Sequence, residues 1–138
     1  MKTITSLRFF GLLTFFIFIN ACTKSNFDTG IKGKVEYGSG DCMPPIDESI
    51  RTYDKFKGEL VFIVKTDLDN LGNGDFENLK QHSIKTKIKR GKLGKELPPN
   101  TYVVMPENLY LYSEANTITV VEGEVLAKNF QFWNCTSY

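Results

Sequence analysis

The side chains able to carry chemistry are few and scattered. His82 is the single histidine of the chain. No serine motif flanks it, and no paired acids stand in a spacing that general acid–base work requires, so no catalytic role is assigned to it. Asp67, Asp69 and Asp75, with Asn70, Gly72, Asn73 and Gly74 between them, have the carboxylate density of a calcium loop. An EF-hand frame starting at Asp67 puts Asp69 at its third position, Gly72 at its sharp turn and Asp75 at its ninth. The frame fails at Leu71 and at Asn78, where a bidentate glutamate is needed. Acidic, glycine-rich stretches are also what a surface turn requires, so no metal is assigned and calcium at Asp67, Asp69 and Asp75 stands as the alternative.

Two further groups could bind rather than react. Lys85, Lys87 and Lys89, with Arg90, Lys92 and Lys95 nearby, form a local basic face for an anionic partner such as a glycan or a lipid headgroup. The same spacing is the solvent side of an amphipathic strand, where lysines block sheet-to-sheet pairing. Tyr110, Tyr112, Trp133 and Tyr138 offer rings with a polar tip, suited to sugar or protein contacts. For Trp133 the plainer expectation is core packing that shields a disulfide. Phe130 and Phe132 share one strand face and are expected in the core.

The N-terminus has its own organisation. Lys2 and Arg8 make it positive, and Phe9 to Ile19 is an apolar run broken by Gly11 and Thr14. As a helix that run rises roughly 16 Å, short of a hydrocarbon core of about 30 Å, so it reads as the apolar region of an export signal. Ile19-Asn20-Ala21-Cys22 resembles the lipobox of bacterial lipoproteins, with an aliphatic residue at −3 and a small one at −1; Asn20 departs from the commonest pattern. The resemblance implies that Cys22 receives diacylglycerol on its sulfur, that cleavage precedes it, and that its new amine is acylated, commonly with palmitate. Two or three acyl chains anchor durably, at about 0.8 kcal/mol per buried methylene. The alternative is an ordinary cleaved signal with Cys22 left as a free thiol. Residues 1–21 are thus the expected signal peptide, 22–29 a lipidated tether, and 30–138 the folded domain. Lys24 and Asp28 make no acidic run after the cysteine, so the expected location is the outer membrane, facing the periplasm.

With Cys22 taken for lipid, Cys42 and Cys135 remain as an even pair in an exported chain, and a disulfide is the default reading. It would join the Gly38–Pro45 stretch to the last residues. A redox or metal-binding pair is the alternative, against which stand the missing Cys-x-x-Cys spacing and the single histidine.

Length and charge bound the rest. The chain of 138 residues has room for one domain, and removing residues 1–21 leaves 117, enough for one core. The formal charge of +1 becomes −1 without Lys2 and Arg8. That balance argues against a nucleic-acid partner and against purely electrostatic membrane binding.

These residues sit in a strand-like pattern. Gly30–Tyr37 and Ser83–Arg90 alternate with the period of two of half-buried strands. Glu59–Thr66 is continuously apolar and β-branched, as a central strand is. Further strands are expected at Lys92–Leu97, Tyr102–Met105, Thr117–Val121 and Val125–Trp133. Residues 38–57 read as a long loop, and Asp75–Gln81 as the single short helix. The expected fold is therefore all-β, a seven-stranded Ig-like sandwich with at most one short helix.

Gly91-Lys92-Leu93-Gly94-Lys95-Glu96-Leu97-Pro98-Pro99-Asn100-Thr101-Tyr102 resembles the G-x-F-x-x-x-L-x-x-G-x-Y signature of carboxypeptidase regulatory-like domains. Gly30–Val35 is similar to that family's opening strand, and Thr117–Val121 to its late strand. Leu93 stands for the usual aromatic and Asn100 for the turn glycine; asparagine accepts positive φ better than other non-glycine residues. The resemblance implies the prealbumin-like (transthyretin-like) form of the seven-stranded sandwich, serving as a non-catalytic module. The expected function is a membrane-tethered binding or scaffolding lipoprotein, not an enzyme and without a cofactor, with an envelope protein or glycan as partner. The alternative is an inhibitor of an envelope-targeting hydrolase, a lysozyme or protease, acting through the loop of residues 38–57.

Overall fold

Alternating small or apolar and charged residues from Gly30 onward produce a strand, β1, of twelve residues, Gly30–Asp41. The computed structural model describes residues 26–44 and 47–137. The expected export signal, Cys22 and Tyr138 lie outside the described residues, and no helix among those described is long and apolar enough to cross a membrane. After β1 come β2 (Asp54–Lys55), β3 (Gly58–Val64), α1 (Lys65–Asp69), α2 (Phe76–His82), β4 (Ile84–Ile88), β5 (Lys92–Glu96), β6 (Asn100–Pro106), β7 (Thr117–Val120), β8 (Val125–Ala127) and β9 (Phe130–Ser137). Short 3-10 turns cover Glu48–Ile50 and Glu114–Asn116.

Two sheets form the sandwich. In the first, β1 is central. Antiparallel β5 and β2 bond along one side of it, and parallel β8 and β9 along the other. The second sheet has the order β4-β3-β6-β7, antiparallel throughout. Ile31, Val35, Phe130 and Phe132 from the first sheet meet Leu60, Phe62, Tyr102, Val104, Ile118 and Val120 from the second in one core. The other face of the second sheet presents Val61, Ile63, Val103 and Met105, which Leu68, Phe76, Leu79 and Leu111 cover. Burial on both faces is why the β3 sequence is continuously apolar rather than alternating.

The all-β sandwich agrees with the sequence expectation, and its details correct it. Among the described residues there are nine strands rather than seven, and two short helices rather than at most one. Residues 65–69, read as strand and acidic turn, close α1 through Lys65 Nζ bonding Asp69 Oδ2 at 2.6 Å, an i,i+4 pair. Asp75 caps α2 by accepting from Asn78 N at 3.1 Å. Residues 38–57 are not one loop. Residues 38–41 prolong β1, because the backbone there pairs in parallel with residues 133–137 of β9. The expected strand Val125–Trp133 is two, broken where Asn129 Oδ1 leaves the ladder to accept from Lys34 N at 2.9 Å.

Positive φ falls on Arg90 (56°) and Gly91 (67°), and Asn100 is not among the positive-φ residues. It needs no such conformation, because it opens β6. Arg90 and Gly91 form the two-residue turn of a hairpin closed by the Lys89–Lys92 bridge. Its arms then part, β4 into the second sheet and β5 into the first, and this joins the two layers at one side. Gly91, Leu93, Leu97 and Tyr102 act together here. Gly91 N donates to Phe56 O and Val35 N donates to Gly91 O, each at 2.9 Å. Leu93, Leu97 and Tyr102 all enter the main core, and the Tyr102 hydroxyl donates to Pro98 O at 2.8 Å.

Candidate functional site

The first sheet outruns the second. Beyond Tyr37 and Phe132, the last pair of β1 and β9 that packs on the core, residues 38–41 and 133–137 continue as a two-stranded parallel ribbon. Such a ribbon is marginal on its own, and three features hold it. The expected disulfide is present: Cys42 and Cys135 are bonded across a Cα separation of 5.4 Å. Trp133 lies on the ribbon's outer face against Gly38 and Gly40, where a Cβ would stand 2.6 Å and 2.8 Å from indole carbons. The segment 47–53 then folds over the indole. Arg51 places its guanidinium carbon 5.0 Å from the ring centroid, a cation–π contact, and Tyr53 meets the ring edge-on at 5.5 Å.

That covering segment is locally ordered. Asp47 Oδ1 accepts from both the backbone N and the hydroxyl of Ser49, at 3.0 Å and 2.5 Å. These bonds to its charged form hold the Asp47 carboxyl below the usual range. Arg51 Nη1 bonds Glu48 Oε1 at 3.1 Å, and Met43 N donates to Asp41 Oδ1 at 2.8 Å. Between ribbon and segment is a cavity of about 310 Å³ with Trp133, Arg51, Met43 and Ile50 among its walls. Met43 is 52% exposed and Ile50 75%. Trp133 Nε1 and Arg51 Nε are buried without a hydrogen-bond partner among the described residues. Buried donors of this kind call for an acceptor, and here they lie beside the apolar lips of a cavity. Asp41 and Asp47 also line the cavity, each carboxylate taken up by a backbone amide, of Met43 and of Ser49.

Trp133 is thus half-buried on the outside of the sheet, a correction to the expectation of core packing. The reason is parity: Phe130 and Phe132 point inward from β9 and are buried, so Trp133 points out. The other expected contacts are elsewhere. Tyr110, 61% exposed, stacks edge-on against Phe76 at 4.8 Å over the helical layer. Tyr112 lies beneath Lys65, whose Nζ is 5.8 Å from the ring centroid. Lys85, Lys87 and Lys89 line the outer strand of the second sheet; Lys85 reaches Glu107 at 3.8 Å, and Lys87 and Lys89 are exposed.

Nor are the aspartates of the calcium alternative brought together. Asp69 is engaged by Lys65 and Asp75 by its helix cap. No group of three or more acidic, histidine or cysteine side chains among the described residues could hold a metal. His82 is exposed at the end of α2, its Nδ1 2.8 Å from Asn78 O. Arg51, Tyr53, Met43 and Ile50 enter the sequence reading only as members of the 38–57 loop, with no motif to single them out. The one signal available was the pair Gly38 and Gly40 two residues apart, the spacing of one strand face. Compared with family models, curated proteins and solved structures, the chain matches none.

Proposed function

We propose that this chain is a lipid-anchored, non-catalytic binding module of a bacterial envelope, tethered through Cys22 and presenting the Trp133 ribbon to an envelope protein or glycan. The observation that carries the reading is the course of β1. Its first residue, Gly30, follows the tether directly. Its last, Asp41, adjoins the disulfide, and twelve residues of strand separate the two ends by about 36 Å. A rigid strand from attachment point to recognition surface suits a module that holds one binding end away from a membrane. The Gly91, Leu93, Leu97 and Tyr102 cluster supports kinship with the carboxypeptidase regulatory-like sandwiches, whose modules are non-catalytic.

The test is in-cell crosslinking of the natively processed chain, with mass spectrometry of what co-purifies from membranes. The expected result is a reproducible envelope complex, lost in Ile50→Asp and Arg51→Glu and kept in Lys87→Glu. Absence of any such complex overturns the reading. Incorporation of labelled palmitate, lost in Cys22→Ser, tests the anchor separately.

The ordered, disulfide-flanked segment with Ile50 exposed at its crest also favours a second reading, inhibition of an envelope-targeting lysozyme or protease by insertion of residues 47–51 into an active-site cleft. Residual hydrolase activity titrated with the purified chain decides it. Inhibition abolished by Ile50→Asp supports it, and unchanged activity removes it.

A further inference from the structure

Sheet edges present unpaired backbone groups, and proteins guard them with charge, proline or short length. Most edges here are guarded. β4 carries Lys85 and Lys87, β5 carries Lys92, Lys95 and Glu96, β7 is four residues long and β8 three. β9 is different. It is eight residues long, and among the described residues it pairs only with β1. Its sequence, Phe-Gln-Phe-Trp-Asn-Cys-Thr-Ser, contains no charge and no proline. Gln131, Cys135 and Thr136 along it are exposed.

At the start of this edge the break between β8 and β9 adjoins a cavity of about 490 Å³. Lys34, Lys128, Asn129 and Gln131 line it, and it reaches Asn116 in the 3-10 turn before β7. Glu36, the one acid on its wall, accepts from Gln131 Nε2 at 2.8 Å. Neither lysine has an ion-pair partner among the described residues.

We propose that β9 is a docking edge that takes an extended segment of a partner protein as an added strand, with an acidic side chain of that segment entering beside Lys34 and Lys128. This rests on the reading of the chain as a binding module and names its partner's chemistry. Main-chain bonds to the unguarded edge supply affinity, and the basic cavity supplies side-chain selection. A second copy of the chain fits less well, because its own β9 brings no carboxylate to the lysines.

Hydrogen exchange of the full chain in detergent tests this with two probes. One is an eight-residue peptide alternating threonine and valine with a single glutamate; the other has lysine in its place. The glutamate peptide should slow exchange in residues 130–137 by about tenfold, as new ladder bonds imply, and leave residues 84–88 unchanged. The lysine peptide should have little effect, and Lys34→Glu with Lys128→Glu should reverse the preference. Thr136→Lys, which adds a guard at an exposed position, should abolish protection without lowering Tm. No protection by either peptide, protection of 84–88 instead, or a doubling of mass that Thr136→Lys abolishes would each overturn the proposal. If the crosslinked complex persists while the peptides fail, the edge proposal falls and the binding-module reading stands.

Discussion

Gly33 and Lys128 are so close that a Cβ on Gly33 would stand 1.8 Å from the Lys128 carbonyl oxygen. The break between β8 and β9 runs tight against β1 there, with Lys128 N donating to Lys32 O at 2.9 Å. A methyl group cannot be accommodated without moving backbone. Gly33→Ala should therefore destabilise the fold by about 2–4 kcal/mol. Gly94 has nothing within 4 Å of the same position, so Gly94→Ala should be neutral or stabilise by about 0.5 kcal/mol. Urea denaturation of both variants checks the pair, and equal midpoints would contradict the close-approach account.

The disulfide spans a sequence separation of 93 residues. Loop-closure entropy assigns such a bridge about 4–5 kcal/mol, an upper figure. Cys42→Ser with Cys135→Ser should lower Tm, and its first effect should be local: the ribbon amides at 133–137 exchange faster while β3 and β6 stay protected. A uniform rise in exchange across both sheets would show instead that the bridge supports the whole core.

Trp133 is the only tryptophan of the chain, so tryptophan emission, excited beyond the tyrosine absorption, reports on the ribbon alone. Arg51→Ala removes the guanidinium from above the ring. It should shift emission to the red and increase iodide quenching, at a stability cost of about 1 kcal/mol. Tyr53→Ala should do the same from the ring's edge.

Burial pushes the Tyr102 hydroxyl above its ordinary value of 10.0. The folded chain then holds this proton more tightly than the unfolded chain does. Its stabilising effect is complete below about pH 10 and is lost as pH rises through the raised folded-state value. Tyr102→Phe should flatten that alkaline decline, and at neutral pH it should cost about 1 kcal/mol for the lost bond to Pro98 O. Thermal melts from neutral to alkaline pH measure both effects.

Lys80 is 5% exposed, with its Nζ 3.0 Å from Glu77 Oε1 and 5.4 Å from the Phe76 ring centroid. Glu77→Gln leaves that buried ammonium less compensated and should destabilise by about 1 kcal/mol, the exposed position of Glu77 limiting the effect. Lys80→Met should be neutral or stabilising, because the stem already packs as an apolar chain.

What the sequence revealed, and what it hid, follows from the range of the forces involved. The inward positions of Phe130 and Phe132, the Ile84 and Ile88 face and the lysine-bearing edge were legible, since alternation is a property of neighbouring residues. The Cys42–Cys135 bond was legible from counting thiols. The strand character of Gly38–Asp41 was not, because its glycines and serine resemble a turn and only distant pairing with β9 makes them extended. The break at Lys128–Asn129 was hidden inside an apolar stretch, and α1 beneath a run of carboxylates that suggested a turn. Aromatic character and a disulfide to shield suggest the core for Trp133, whereas its parity with Phe132 points it outward. Arg51 and Tyr53, the residues that cover it, lie about eighty residues away.

β1 has ladder partners on both sides for much of its length, and it runs from Gly30 at one end to the stapled ribbon at the other. Tension drawn between those ends would run along the strand, across the direction of its backbone hydrogen bonds. Sliding the strand out would require many of those bonds to fail together, whereas peeling breaks them singly. Pulled from the two ends of β1, the molecule is built as a shear joint, and it should yield at far lower force when a single edge strand is peeled sideways.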